Sequence, residues 1–497
     1  MLGLGVAVVM AACRPAPSTA PVVRGAPAPA HPEALQRPPP EPQRPSVVSD
    51  GPMLPSRSPT PSLPPPPELP AAFVAAADKL TAAATGRRRA YERLATMSDR
   101  FGHRLSGTST LERAIDWSLE MMHKDGLANV RREKVMVPRW VRGAERARVV
   151  GPIDRPLVLL GLGGTVGTKG PLRAEVAVVQ SLAEIAAKGA ALRGKIVVIN
   201  QPMPAFDHET QETGYRDTVA IRSSGASEAA KVGARAVLIR SVTASSLRTP
   251  HTGAVRYTDG APKIPAAALT LEDTELLVRL AAAGKTTVEL SLGARTLPDA
   301  VSGNAIAELR GRELPDEVVV VGAHIDSWDT GDGSTDDGSG CVMAMDAAAM
   351  LLELGLVPRR TVRVVLFTNE ENGLRGAFAY HAAHGKERHA GAMEADFGAG
   401  APRGFGITGT PGEVAQLQTY ARLFVPLGAG QFTLGGGGSD IGPLTNDGVL
   451  SLGLHPDGSA YFDLHHSPAD TFDKIDPDHL ARNAAALALM AYILAER

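Results

Sequence analysis

The sequence predicts an α/β fold: a mixed, mostly parallel sheet covered by helices on both faces, interrupted by a second, smaller α/β unit. Three observations carry this. Beyond Ala305, near-continuous Val and Leu runs alternate with helical stretches, the pattern of strands buried on both sides. Between Ala147 and about Leu297 the pattern changes to shorter apolar runs parted by Gly-rich breaks. Acidic and His clusters directly follow the later strands, at the carboxyl ends where such sheets collect ligands. A chain of 497 residues is long enough for several domains and a sizeable core. With 51 Lys plus Arg against 53 Asp plus Glu, no strong field draws it to nucleic acid or anionic lipid, and 4% aromatics argues against base stacking.

In chain order, the first feature is the apolar run from Leu2 to Ala12, about half the roughly 20 residues a spanning helix needs. Met10-Ala11-Ala12-Cys13 resembles a bacterial lipobox, so residues 1–13 read as an export signal cleaved before an acylated Cys13. The expectation is an exported cell-envelope lipoprotein, with a cleaved signal on an extracellular protein as the alternative. Cys341 is the one other cysteine, so an acylated Cys13 leaves no intrachain disulfide. Residues 14–70 hold 20 of the 39 prolines among Ala and Ser and read as an extended tether without a core.

Folded sequence is expected from Ala71, with residues 71–146 forming the first part of the main domain. A helix follows Ser109, where Ser109 and Glu112 have capping-box spacing, Gly126 closes the far end, and Leu111, Ile115, Leu119 and Met122 share one face. Residues 147–297 form the smaller unit, with strands over 157–160, 176–179, 196–199 and 237–239 and helices over 223–232 and 271–283. It contains no cluster of His, Cys and acidic residues. Residues 298–497 form the main part, with strands over 317–321 and 361–367 and helices over 338–354, 374–383 and 477–494.

The chemistry-bearing residues stand at the ends of these strands: His324, Asp326 and Asp329; Asp336 and Asp337; Glu370 and Glu371; Glu394 and Asp396; His465, His466 and Asp470. So many carboxylates near one point would repel one another unless cations neutralised them. Oxygen and nitrogen donors without thiolate suit zinc in an open catalytic site, and a shared carboxylate suits two ions about 3.5–4 Å apart. A dinuclear hydrolytic centre is the economical reading.

The segments His324-x-Asp326-Ser327, Asp336-Asp337-Gly338-x-Gly340, Glu370-Glu371, Glu394-x-Asp396 and His466-Ser467-x-x-Asp470-Thr471 resemble the co-catalytic zinc exopeptidases, the family of aminopeptidase Y and glutamate carboxypeptidase. The carboxypeptidase Q branch is the nearer match, through Arg104-Leu105-Ser106-Gly107, residues 137–143, residues 194–202, Pro250-His251-Thr252-Gly253 and the run on to Asp329. The resemblance spans residues 75 to 495 and implies a three-layer zinc-exopeptidase sheet with a protease-associated domain as the insert. It further implies two zinc ions: His324 and Asp396 on one, Glu371 and His466 on the other, Asp336 bridging, and Glu370 as general base. His466 is preferred over His465 because the family ligand stands four residues before the position of Asp470. Asp326 reads as the acceptor for the His324 imidazole N–H, and Asp337 as structural, after a cis peptide. Ser439 and Asp440, ending a run of four glycines, read as pocket wall, and Tyr461 as a packed strand tyrosine or an oxyanion donor. His103, His251, His381, His384 and His389 read as supporting or surface residues, none with a carboxylate at metal-ligand spacing. Asn369, Ser339 and Pro468 depart from the family pattern without removing a ligand.

The implied activity is hydrolysis of dipeptides or short peptides by an exported metallocarboxypeptidase or dipeptidase, with aminopeptidase action by the same centre as the open alternative. A silent binding protein of the transferrin-receptor type and a single-zinc acyl transferase of the glutaminyl-cyclase type are the other readings. The family also implies a homodimer.

Overall fold

The computed structural model describes residues 68–497, so the expected signal, Cys13 and nearly all of the tether lie outside the described residues. Eight strands build the main sheet: β1 (Ala128–Val141), β2 (Arg295–Leu309), β3 (Leu314–His324), β4 (Arg360–Phe367), β5 (Arg388–Glu394), β6 (Pro402–Thr408), β7 (Gln431–Leu434) and β8 (Ser451–Pro456). Their order is β1-β2-β4-β3-β5-β8-β6-β7. β4, β3, β5 and β8 are parallel neighbours; β1 pairs antiparallel with β2, β2 with β4 and β6 with β8, and β7 lies parallel to β6.

The valines of β3 show why the sheet has two covered faces. Val319 and Val321 enter the large core beneath the helices Ala71–Ala84, Arg89–Phe101, Ser109–Lys124, Ser339–Glu353 and Pro477–Glu496. Val318 and Val320 enter a smaller core with Tyr380 of helix Arg375–His384 and Leu444 of helix Gly442–Asn446. A strand with apolar residues on both sides reads as a continuous Val run, and helices must cover both faces.

Two local expectations are corrected. The helix Ser109–Lys124 is capped by Thr108, whose hydroxyl accepts from the Leu111 N–H at 3.2 Å, so the Ser109–Glu112 box does not form. Glu112 instead pairs with Arg132 at 3.0 Å, a partner from β1 that local spacing does not show. Leu111, Ile115 and Met122 are buried as expected, with Leu119 packed partly buried beside them.

The chain leaves the main sheet after Val141 and rejoins it at Arg295. The intervening residues form a second eight-stranded sheet around the parallel strands Leu172–Val179, Ile196–Ile199, Ala236–Arg240 and Ala266–Leu269. The strand expected over 157–160 is two strands. Arg155–Leu157 pairs at one edge and Leu159–Gly161 at the other, so the sheet curls back on itself at Val158. The Val158 N–H, excluded from either ladder, donates to Asp273 Oδ2 at 2.7 Å.

Candidate metal centre

Parallel order brings the carboxyl ends of β3, β4 and β5 together, and these ends carry His324, Glu370-Glu371 and Glu394-Asp396. Asp336 lies at the centre. Its Oδ1 is 3.2 Å from His324 Nε2 and its Oδ2 is 3.2 Å from His466 Nε2. His324 Nε2 also faces Asp396 Oδ1 at 3.3 Å, and His466 Nε2 faces Glu371 Oε2 at 3.0 Å. Two imidazoles thus share one carboxylate, and each has a second carboxylate of its own.

The supporting shell explains this geometry. Arg104, wholly buried, donates to the carbonyls of Ile325, Asp332 and Gly333, each at 2.8 Å, and so holds the loop between β3 and Asp336. Asp470 accepts from the Thr335 N–H at 2.6 Å and the Asp336 N–H at 3.0 Å, fixing the central carboxylate from behind. Asp337 follows a cis peptide and accepts from the N–H groups of His324 and Gly340, both at 3.0 Å, which is a structural role. Asn369 takes a left-handed conformation, which Asn tolerates, and donates to Ser106 Oγ at 3.0 Å. Ser339 satisfies its hydroxyl on the Thr335 carbonyl, and Pro468 is exposed, so neither departure disturbs the centre.

The acceptor for His324 Nδ1 is the carbonyl of Asp326, at 2.9 Å, and not its carboxylate. That carboxylate takes the N–H of Glu370 at 3.0 Å, the N–H of Glu371 at 3.4 Å and the Ser106 hydroxyl at 3.1 Å. It therefore orients the Glu pair, while the short turn after β3 lets the backbone oxygen reach the imidazole.

Electrostatics fit a cation. Burial pushes the Glu371 carboxyl up to about 8 and the Asp396 carboxyl up to about 6. Burial alone would lower His324 and His466, but Asp396 and Asp336 hold His324 well above its ordinary value, and Glu371 and Asp336 raise His466 to about 9. Asp336 Oδ2 and Glu371 Oε1 are buried and accept no hydrogen bond. Two imidazoles and three carboxylates, without thiolate and with orphaned oxygens between them, are the donor set of borderline divalent ions such as zinc, which displace the protons on binding.

His465 also comes near, its Nε2 lying 3.8 Å from Asp336 Oδ2, and its ring stacks on His466 with centroids 3.5 Å apart. It belongs to an aromatic wall: Tyr215 and Phe462 stack at 4.4 Å, Phe397 and Tyr461 at 4.8 Å, and His465 meets Tyr215 edge-on at 5.2 Å. Tyr461 opens the short helix Tyr461–Leu464 instead of lying in a strand, and burial with nearby Asp336 and Asp396 holds its phenol well above the ordinary range. Asp440 is buried beside Glu394, to which its N–H donates at 3.3 Å, whereas Ser439 is exposed. A Cβ on Gly438 would fall 2.0 Å from the Glu394 carboxyl carbon, so the glycine run closes on that acid.

Sequence reasoning missed the smaller unit's share in this centre: Tyr215, Arg222, His251 and Thr252. His251 is buried under the His465-His466 turn, not at the surface, and the family-like Pro250-His251-Thr252-Gly253 string was the signal available for it. His384 is likewise no isolated surface residue, since it sits between Glu133 at 2.9 Å and Glu387 at 2.6 Å, the first contributed by β1.

Residues 304–491 match the model of peptidase family M28. Carboxypeptidase Q of Mus musculus is 42% identical over 412 residues, covering 82% of this chain and 86% of that protein. A peptidase M28 precursor from Shewanella amazonensis SB2B has a solved structure similar to this one, with a TM-score of 0.82, 35% identity, and coverage of 86% of this chain and 97% of that one. BSAP, a zinc aminopeptidase from Bacillus subtilis, shares the fold with a TM-score of 0.61 at 21% identity, over 82% of this chain and 95% of that one.

Proposed function

The chain belongs to peptidase family M28, with carboxypeptidase Q among its near-full-length relatives, and is a metallo-exopeptidase; from that premise we propose that it hydrolyses dipeptides or short peptides at a centre of two zinc ions. The observation that carries this is Asp336, whose two oxygens face two different imidazoles, each with its own acid. His324 and Asp396 would hold one ion and Glu371 and His466 the other, with Asp336 common to both. Glu371 suits the second position better than His465, because an anion complements a dication and His465 is committed to the aromatic wall.

Bound zinc supplies Lewis acidity and brings a water's pKa near 7. The protein's own residues do the rest. Glu370, half-buried and held at its backbone by Asp326, takes the proton of the attacking water and returns it to the leaving amine. Tyr461 keeps its proton and is available to donate to the developing oxyanion. The aromatic wall of Tyr215, Phe462, Phe397 and Tyr461 excludes water and favours apolar side chains in the substrate.

The smaller unit is read as a protease-associated domain, and the N-terminal segment as an export signal with Cys13 as the lipid-anchoring residue. Carboxypeptidase or dipeptidase action is the preferred reading, by likeness to carboxypeptidase Q. A panel of free dipeptides, N-blocked peptides and C-amidated peptides tests it: amidation should abolish cleavage and N-blocking should not abolish it in longer peptides. The reverse outcome would make the enzyme an aminopeptidase.

A further inference from the structure

The turn that carries His466 is held by the smaller unit and not by the main sheet. His466 has φ near 60°, a left-handed conformation that costs a non-glycine residue energy and persists only where surroundings enforce it. Consecutive residues of the smaller unit enforce it here. His251 Nδ1 donates to the His465 carbonyl at 2.7 Å, and the Thr252 N–H donates to the His466 carbonyl at 2.9 Å. The Thr252 carbonyl in turn lies 3.4 Å from His466 Nδ1, the nitrogen opposite the one that faces Asp336 and Glu371.

The clamp is itself anchored. The His251 N–H donates to Ser241 Oγ at 2.8 Å, and Thr252 Oγ1 donates to the Gly161 carbonyl at 2.8 Å. Arg222 packs its guanidinium behind the turn, with Nη1 3.2 Å from His466 Nδ1 and Nη2 donating to the Tyr215 hydroxyl at 2.6 Å. Gly253 leaves room for it, since a Cβ there would lie 2.5 Å from the guanidinium carbon. His251 is 1% exposed, and its Nε2 has no partner, so its one polar contact with the main domain is the bond to His465. The His465 carbonyl can only accept, so the ring proton sits on Nδ1, and burial, which pushes the pKa down to about 4, keeps the ring neutral.

We propose that His251 is a positioning residue for metal binding: through the His465 carbonyl it fixes the left-handed His466 turn, so the smaller unit sets the affinity of the metal position that His466 shares with Glu371. The inference rests on the two-zinc reading above. Groups that orient a metal-binding imidazole typically change affinity by about 10- to 100-fold. His251 does so from another unit of the fold, through a backbone carbonyl.

The experiment compares His251→Asn, His251→Gln and His251→Leu with the wild-type enzyme. An Asn amide places its N–H where the His Nδ1 stands, whereas a Gln amide places it near Nε2. Zinc affinities are measured by competition with a chromophoric chelator, alongside thermal melts of the metal-free proteins. In the Gln and Leu variants one zinc equivalent should bind about 10- to 100-fold more weakly and the other as in the wild type. The Asn variant should keep both. Wild-type affinities in the Gln variant, or equal behaviour of Asn and Gln, would overturn the proposal, as would parallel loss of both equivalents with a lowered melting temperature. If the Leu variant fails to fold, the Asn and Gln pair decides. A wild type that binds fewer than two zincs would overturn the two-zinc reading and this inference together, whereas two tightly bound zincs in both wild type and Gln variant overturn the inference alone.

Discussion

Glu370 and Glu371 are chemically the same side chain in adjacent positions, and backbone geometry divides their tasks. Asp326 holds both N–H groups, one on each carboxylate oxygen, and this sends Glu371 inward to His466 while Glu370 stays half-buried at the mouth. Glu370→Gln should therefore keep both zincs and the fold but lose about 10²- to 10⁴-fold in turnover. Glu371→Gln should instead lower the zinc content. Metal analysis beside steady-state kinetics checks both, and zinc loss in the first variant with full occupancy in the second would mean that the roles are exchanged. Among ligand changes Asp336→Ala should be the most damaging, because it alone faces both imidazoles. Two retained zincs in that variant would rule out a bridging carboxylate.

At the scale of elements, helix Arg375–His384 is pinned to the edge strand β1 by His384, whose ring lies between Glu133 and Glu387. The hydrogen bond to Glu133 raises its pKa above 6.5, against partial burial. A raised folded value stabilises the charged form, so the contribution is fully present below the unfolded value near 6.5 and disappears as pH rises through the folded one. His384→Gln should then cost about 1 kcal/mol in urea melts at pH 6 and clearly less at pH 9; an equal cost at both would exclude the ion pair as its source. The same pair marks the limit of what was legible in the sequence. β3 and β4 announce themselves, because strands covered on both faces carry apolar runs such as Val318–Val321 and Val364-Val365-Leu366-Phe367. β1 does not: as an edge strand it alternates Arg, Glu and Lys with apolar residues and carries Pro138 at a break in register between Val137 and Arg139. His324, Asp336, Glu371 and Asp396 could be read because they stand at or just beyond strand ends or lead into a helix, and His466 because of its four-residue spacing to Asp470. The bonds from His251 and Thr252 to residues 465 and 466 could not, because two hundred residues of sequence separate partners that only the folded chain brings together.

At the scale of the whole molecule, the candidate centre is assembled from the main domain and from helices and a loop of the smaller inserted unit, and the residues that face it lie between Arg104 and Asp470. Among the described residues no helix is long and apolar enough to cross a membrane; the proposed attachment point, Cys13, lies in the segment before residue 68. That segment has Cys13 behind an apolar run and then some fifty residues rich in Pro, Ala and Ser. An acyl anchor on Cys13 would therefore act on location and leave the chemistry alone. Cys13→Ala, expressed in a bacterial host able to acylate lipoproteins, should move the protein from the membrane fraction to the soluble one with kcat and KM unchanged. Fractionation and dipeptide kinetics on the same preparations check it. A wild type found wholly in the soluble fraction would exclude the anchor, and an altered kcat in the variant would mean that the N-terminal segment reaches the centre after all.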